Sequence, residues 1–143
     1  MAAPFRTTRF VEFADTDMAG IAHFSAFFRW MEAAEHALLR SLGLSVYGLA
    51  DPDGGDAVVS FPRVSSRCDF HSPARCEDTL DVEVVVQKLG RSSVAYGFRF
   101  ARDGEELAVG EMTSVCCRLL DGRKPEPIAI PDDVVASLKK HAP

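Results

Sequence analysis

One amphipathic helix pattern near the amino terminus, followed almost entirely by strand patterns, constrains the fold more than any other feature of this chain. Apolar residues recur at the i, i+3, i+4, i+7 spacing of a single helix face, and they are Phe24, Phe27, Phe28, Met31, Ala34, Leu38, Leu39 and Leu42. Gly43 follows them, and a glycine at that place adopts the left-handed dihedral angles that end a helix. The pattern predicts a helix of about eighteen residues, roughly 27 Å long.

Five segments rich in β-branched and aromatic residues predict strands, and they cover residues 5–13, 57–71, 79–89, 91–102 and 106–119. Asp103-Gly104 separates the last two segments and is a strong hairpin signal. A short second helix is predicted from Pro131 to Lys140. This order predicts an α+β domain in which an antiparallel sheet of about five strands packs on the long helix. No repeat or linker divides residues 1–143, so we expect a single domain.

Composition excludes several classes of function. The formal net charge of −5 argues against a nucleic-acid binder, since phosphate affinity depends on a surplus of Lys and Arg. No apolar run has the length that a bilayer or a signal peptide requires, so we expect a cytoplasmic protein without a membrane partner. The cysteines have no metal-ligand spacing, and they are Cys68, Cys76, Cys116 and Cys117. No metal site is therefore predicted.

Two carboxylates, Asp15 and Asp17, precede the long helix on a loop that contains Gly20. A helix start presents unpaired backbone N–H groups and the positive end of a dipole, which stabilise negative charge that develops on an oxygen. A carboxylate beside that oxygen can attack a carbonyl carbon or activate a water, as acyl-transfer chemistry requires. The structural alternative is an aspartate that caps the helix or forms a turn. We assign that alternative to Asp15, which we expect to orient the loop by accepting backbone N–H bonds.

The loop also carries a motif, F-x-D-x-D-x-x-G-[IV], which appears here as Phe13, Asp15, Asp17, Gly20 and Ile21. With this motif the chain resembles the hotdog-fold acyl-CoA thioesterases, in particular the 4-hydroxybenzoyl-CoA thioesterase and YbgC-like group. Further matches follow in order along nearly the whole chain, at Phe61-Pro62, Asp69-Phe70, Pro73-Ala74, Asp78-Thr79-Leu80, Arg91-Ser92-Ser93 and Ile130-Pro131. The resemblance implies a hotdog fold, in which the sheet wraps around one long central helix.

The resemblance also implies roles for individual residues. Asp17 is the implied catalytic carboxylate, either as a nucleophile that forms a mixed anhydride or as a general base on water. The backbone N–H of Phe24 would polarise the thioester carbonyl, and His23 is a further catalytic candidate. The implied substrate-binding residues are Gly20, Ile21, Arg29, Trp30 and Phe61. The Arg29-Trp30 pair favours an aromatic acyl group.

The resemblance also suggests that the CoA phosphates bind at Arg91, Ser92 and Ser93, where a guanidinium and hydroxyl groups suit phosphate oxygens. Arg123 and Lys124 could add charge, although an ordinary basic turn explains them better. Glu32 and Glu35 are interpreted as solvated or interface carboxylates. No cofactor is expected, since coenzyme A belongs to the substrate.

Two other functions stay open at the level of sequence. A hotdog hydratase or dehydratase would pair His23 with Asp17 for proton transfer, and a non-catalytic protein could bind acyl-CoA on the same fold. Acyl carrier protein could also replace CoA as the carrier. We expect a homodimer, or a tetramer made of two dimers, because the helix offers more apolar surface than one five-stranded sheet can cover. Continuing the sheet between two copies would bury that surface and shield an open edge.

Overall fold

Two antiparallel sheets and one long helix form the fold in the computed structural model, which describes residues 3–47 and 49–142. The strands in chain order are β1 (Phe5–Phe10), β2 (Val58–Ser60), β3 (Arg63–Phe70), β4 (Thr79–Leu89), β5 (Ser93–Arg102), β6 (Glu105–Val115), β7 (Cys117–Leu119) and β8 (Glu126–Pro127). The helices are α1 (Ala26–Ser41) and α2 (Asp132–Leu138), and single 3-10 turns lie at Phe13–Asp15 and Lys139–His141.

The larger sheet has the strand order β1-β4-β5-β6-β3, and the smaller sheet has the order β2-β7-β8. All pairs of neighbouring strands in both sheets are antiparallel. The predicted hairpin joins β5 to β6 through Asp103 and Gly104, which both have positive φ angles. The α+β class and the antiparallel sheet that the sequence predicts are therefore confirmed.

The core lies between α1 and one face of the larger sheet. Alternate residues of β4 and β5 point into it and are buried, namely Leu80, Val82, Val84, Val86, Val94, Tyr96, Phe98 and Phe100. From α1, the ring of Phe27 contacts the ring of Trp30 at a centroid distance of 4.7 Å and that of Phe100 at 5.3 Å. The apolar residues that alternate along the strands therefore pack against the apolar face of α1 in one layer.

The expectation that α1 leaves several large side chains uncovered is wrong. Phe27, Trp30, Met31, Leu38 and Leu39 are all buried within the single chain. They belong to one core cluster that includes residues of the larger sheet and of α2, such as Val134 and Leu138, so the strands are not their only cover. Exposed large apolar side chains lie instead at the smaller sheet, at β3 and around the loop before α1, as at Val58, Val64, Phe70, Leu119, Phe13, Met18 and Phe24.

Two predicted strands are each divided in the structure. Residues 57–71 form β2 and β3, and residues 106–119 form β6 and β7. The first division falls at Phe61-Pro62, where proline cannot donate a ladder hydrogen bond. The second falls at Cys116, opposite the first, so the two chain segments leave the larger sheet together and pair as β2 and β7 in the smaller one.

The ends of α1 follow local rules. The helix begins at Ala26 rather than at Phe24 and ends at Ser41. Gly43 has a φ of 74° and Leu44 donates its N–H to the carbonyl of Leu39 at 2.8 Å, as in a glycine-terminated helix. Within the described residues, neither α1 nor α2 is long and apolar enough to cross a bilayer.

Candidate active site

The loop between β1 and α1 folds back on itself and presents Asp17. A bridge between Thr16 and Ala22 closes the loop. Asp17 donates its N–H to the carbonyl of Ile21 at 3.0 Å and accepts the N–H of Gly20 at 3.0 Å. Gly20 has a φ of 78°, in the left-handed region where a residue with a Cβ atom is strained. The glycine of the motif therefore shapes the turn that carries Asp17.

The Asp17 carboxylate is held by one oxygen and exposed at the other. Oδ1 accepts a hydrogen bond of 2.8 Å from the N–H of Ala19. Oδ2 has no hydrogen-bond partner among residues 3–47 and 49–142, and the residue is exposed. One oxygen thus fixes the rotamer, while the other is available to a water or to a carbonyl carbon.

Asp15 has the opposite environment, since it is only 7% exposed. Its Oδ2 accepts the N–H of Glu12 at 2.9 Å, and its carbonyl accepts the N–H of His23 at 2.7 Å. Arg29 approaches the Oδ1 atom of Asp15 at 3.4 Å. Asp15 therefore ties the loop to both β1 and α1, which agrees with the orienting role expected from the sequence.

The backbone N–H of Phe24 is an available donor just before the start of α1. Ser25 is the N-cap of the helix, and its N–H and its hydroxyl both lie within hydrogen-bond distance of His23 Nδ1, at 3.2 Å and 2.8 Å. No described residue accepts the N–H of Phe24. This donor lies one residue before the N-cap, where the helix dipole favours negative charge.

Asp17 and Phe24 both line a cavity of about 400 Å³. It is lined by Asp17, Ile21, Ala22, Phe24, Phe27, Phe70, His71, Ser72, Pro73 and Ala74. The N–H of Ala22 donates to the carbonyl of Ala74 at 2.8 Å, and this bond draws the β3–β4 connection against the Asp17 loop. The walls are largely apolar, and Asp17 is the one carboxylate among the lining residues.

His71 lines the same cavity but was not identified from the sequence. Its Nδ1 lies 2.9 Å from Glu106 Oε2, and Glu106 Oε1 accepts Arg99 Nε at 3.1 Å. The segment around His71 contains two matches to the family pattern, at Asp69-Phe70 and Pro73-Ala74. No local sequence signal, however, predicted that His71 lies beside the Asp17 loop. Its position depends on the β3–β6 register and on the bond between Ala22 and Ala74.

The cavity brings together Asp17, Ile21 and Phe24 of the predicted site residues. The other residues that were predicted near the reacting carboxylate lie outside its walls and contact the surrounding structure. Gly20 shapes the turn, His23 caps α1 and Arg29 contacts Asp15. Trp30 is buried in the core against Phe27 and Phe100, and Phe61 packs half-buried against the core between the two sheets.

The predicted phosphate-binding residues lie at the other end of the larger sheet. The Asp17 loop adjoins the start of β4, where Val11 donates its N–H to Asp78 at 2.8 Å. Arg91 follows the end of β4, about 33 Å away by the rise of a ten-step strand. Within one chain, the two predicted parts of the site are therefore far apart.

Arg91 lines a second cavity, of about 570 Å³, together with Arg118. Arg118 is already neutralised there, because Asp51 binds its guanidinium with two hydrogen bonds, of 2.8 and 2.9 Å, and Asp53 and Glu126 bind it as well. These hydrogen bonds raise the pKa of Arg118. Arg91 forms no ion pair with any described residue, so its charge is available to an anion.

Among residues 3–47 and 49–142, no group of three or more His, Cys, Asp or Glu side chains is arranged to hold a metal ion.

Comparison with known proteins identifies the family. The profile of the thioesterase superfamily matches residues 19–109. The chain belongs to the thioesterase superfamily, and it is a thioester hydrolase. A 1,4-dihydroxy-2-naphthoyl-CoA hydrolase from Synechococcus sp. (strain WH7803) is 29% identical over 132 residues, which cover 90% of this chain and 84% of the relative.

Solved structures support the same fold. A 1,4-dihydroxy-2-naphthoyl-CoA thioesterase from Synechocystis superposes with a TM-score of 0.83 at 24% identity, over 96% of each chain. A gentisyl-coenzyme A thioesterase superposes with a TM-score of 0.79 at 25% identity, over 94% of this chain and 99% of the other. The hotdog thioesterase fold predicted from the resemblance is therefore confirmed.

Proposed function

We propose that this protein is an acyl-CoA thioesterase that hydrolyses an aromatic acyl-CoA to the free acid and CoA, with Asp17 as the reacting carboxylate. The observation that carries the proposal is that Asp17 and Phe24, whose N–H no described residue accepts, line the same apolar cavity. Similar proteins whose names specify naphthoyl-CoA and gentisyl-CoA substrates support the choice of substrate class.

The chemistry follows from these two groups. The Phe24 N–H donates a hydrogen bond to the thioester oxygen, and this bond strengthens as the oxygen gains negative charge. Oδ2 of Asp17 attacks the carbonyl carbon, the carbon–sulfur bond breaks, and the CoA sulfur leaves as a thiolate. Water then hydrolyses the mixed anhydride and regenerates the carboxylate. In the alternative route Asp17 removes a proton from water as the water oxygen attacks the same carbon. The carbon–sulfur bond breaks, and the departing CoA sulfur takes up the proton that Asp17 holds.

The walls of the cavity suit an aromatic acyl group. The rings of Phe27 and Phe70 meet edge to face at 5.3 Å, and Phe24 is exposed beside them. Aromatic rings prefer such edge and offset contacts. His71 and Ser72 add polar atoms to the same wall, where a hydroxyl on the acyl ring would find partners.

A complete site requires a second copy of the chain. The Asp17 loop and Arg91 lie at opposite ends of the larger sheet, so one chain cannot hold both ends of the substrate as predicted. β3 is an edge strand, and residues 64–67 are exposed. Pairing this edge with the same strand of a second copy would cover it. We propose a dimer in which Asp17 of one copy serves a ligand whose phosphates contact Arg91, Ser92 and Ser93 of the other, with tetramers built from two dimers.

The hydratase or dehydratase alternative loses its proton-transfer pair. His23 does not line the Asp17 cavity, and its Nδ1 is engaged with Ser25. The acyl-CoA binding alternative gains nothing from a carboxylate with a free oxygen beside a thioester. Hydrolysis uses both Asp17 and the Phe24 N–H.

Replacing Asp17 tests the proposal directly. Asp17→Asn keeps the size and the acceptor for Ala19 but removes the nucleophile or base, so kcat should fall by about a thousandfold or more. Acyl-CoA binding should persist. The measurement is release of free thiol from benzoyl-CoA, naphthoyl-CoA and aliphatic acyl-CoAs, together with calorimetric titration of the intact thioester.

The matched control is Asp121→Asn, which changes an exposed aspartate outside the cavity and should keep wild-type turnover. Turnover of Asp17→Asn within tenfold of wild type would remove Asp17 from the mechanism. A wild-type protein that binds every acyl-CoA of the panel but releases no thiol would contradict the proposal that the protein hydrolyses the CoA thioester.

A further inference from the structure

A third opening, which we call the β1–α1 groove, lies between β1 and α1 and shares no lining residue with the Asp17 cavity. Its volume is about 170 Å³, and Thr7, Arg9, Trp30 and Arg40 line it together with alanines of α1. Because a water in the liquid takes up about 30 Å³, the groove holds a ligand larger than a single water.

Two buried N–H donors belong to residues of this groove. Trp30 is 1% exposed, and its Nε1 has no acceptor among residues 3–47 and 49–142. Arg9 Nε is likewise buried and has no acceptor among those residues. Buried donors are nearly always paired, since an unmade hydrogen bond costs the full desolvation of the group. The two donors therefore indicate an acceptor that enters the groove.

The charge of the groove favours an anion. Arg9 and Arg40 are its only charged lining residues, and neither forms an ion pair with a described residue. The carboxylates of the adjacent strand, Asp81 and Glu83, stand opposite Thr8 and Arg6 in the β1–β4 register. Since successive strand residues alternate between faces, both carboxylates lie on the face away from Arg9.

We propose that the β1–α1 groove binds a small organic carboxylate. Its two oxygens accept the N–H groups of Trp30 and Arg9, and the guanidinium groups of Arg9 and Arg40 neutralise its charge. The methyl groups of Ala33 and Ala37, with Val82, contact a short apolar part of the ligand. A carboxylate fits better than a phosphate, because one wall is apolar and the groove is small. This site is separate from the thioesterase reaction and does not rest on the proposed function.

The chain contains a single tryptophan, so intrinsic fluorescence reports on the groove without a label. Sodium butyrate, butyramide and sodium chloride are titrated at constant ionic strength. Butyrate should give a saturable change in Trp30 emission, whereas butyramide and chloride should not. A response that does not saturate, or that chloride reproduces, means that the groove holds only water and overturns the proposal.

Two variants locate the effect. Arg9→Gln removes the charge and should weaken butyrate binding at least tenfold. Arg6→Gln is the matched control, because it changes an arginine of the same strand that points to the other face and pairs with Glu83. If Arg9→Gln does not fold, Arg40→Gln at the exposed end of α1 makes the same test. Unchanged affinity in the folded arginine variants, or an equal loss in Arg6→Gln, rejects the site.

Discussion

At the scale of single residues, burial separates two aspartates that are alike in the sequence. Asp15 and Asp17 both precede a helix, and both suit a turn or a cap. Asp15 is enclosed by contacts from Glu12, His23 and Arg29, whereas Asp17 retains an oxygen without a partner. A buried carboxylate with a partner at each oxygen suits the orientation of a loop, and an exposed one with a free oxygen is available to react. The two roles differ because their neighbours differ.

Replacing Asp15 should therefore affect the loop more than the chemistry. Asp15→Asn places an amide where Oδ2 accepts from Glu12 or where Oδ1 meets Arg29, so one contact is lost and the loop shifts. We expect kcat to fall by about tenfold, far less than for Asp17→Asn, together with a lower midpoint of thermal unfolding. Thiol release and calorimetry measure the two effects. A loss of turnover equal to that of Asp17→Asn, with unchanged stability, would make Asp15 a reacting group.

At the scale of elements, a buried ion pair joins α1 to β3. Arg63 contacts both carboxylate oxygens of Glu35, at 2.5 and 2.8 Å, and also binds Ser114 Oγ at 2.7 Å. Glu35 is 2% exposed, so the interpretation of Glu35 as a solvated carboxylate is wrong. The sequence pattern could not predict this burial, because the ion-pair partner of Glu35 lies on a strand 28 residues later in the chain. Glu32 is more than half exposed and reaches the same arginine only at 3.6 Å.

Glu35→Ala should be strongly destabilising, since it leaves the largely buried guanidinium of Arg63 with only the exposed carboxylate of Glu32, 3.6 Å away, as a counter-charge. We expect the free energy of unfolding to fall by about 3–5 kcal/mol. Glu32→Ala removes an exposed partner of the same arginine and should change it by less than about 1 kcal/mol. Urea denaturation followed by circular dichroism compares the two variants. Similar losses in both would show that Arg63 does not depend on Glu35.

Elements set by local patterns were predictable, and those set by distant pairing were not. The α1 periodicity, its Gly43 terminus and the Asp103-Gly104 hairpin all depend on neighbours in sequence, and the structure contains each of them. The division of residues 57–71 depends on pairing between β2 and β7, which a strand pattern does not encode. The same holds for the site. Motif spacing marked the Asp17 loop, while the approach of His71 and the burial of Trp30 required the tertiary packing.

At the scale of the whole molecule, buried thiols make the stability depend on alkaline pH. Burial is the main cause that raises the pKa of Cys68 and of Cys116 to about 11, from an ordinary value of 9.0. Below pH 9 both thiols are protonated in the folded and unfolded states, so they do not affect the balance. As the pH rises from 9 towards 11, the unfolded thiols ionise first, and stability is lost.

Cys116→Ala should reduce this pH dependence, because it removes one of the thiols whose ionisation is linked to unfolding. We expect the loss of unfolding free energy between pH 8.5 and about 10.5 to be smaller than in wild type, even though the variant is less stable at neutral pH. Cys76→Ala is the control, since Cys76 is exposed. Urea denaturation at several pH values gives the slopes. Identical slopes in all three proteins would mean that Cys116 does not contribute.

The assembly of the molecule decides whether the proposed site is complete. The apolar face of α1 is covered within one chain, so the case for a dimer rests on the open edge of β3 and on the separation of Asp17 from Arg91. Val64, on that edge, is 62% exposed. An unpaired edge strand of this length readily pairs with another strand. We therefore expect a dimer or a larger species at micromolar concentration, measured by sedimentation velocity.

Val64→Lys should shift that species to the monomer, because a twofold interface brings the two lysines close together. Thiol release should fall with the dimer, since the proposed site draws its carboxylate and its phosphate contacts from different copies. Thr8→Lys places the same charge on β1, the opposite edge of the sheet, and should preserve both the assembly and the activity. A stable monomer that hydrolyses acyl-CoA at the wild-type rate would contradict the shared site. The phosphates would then bind near the Asp17 loop of the same chain, and Arg91 would have no part in CoA recognition.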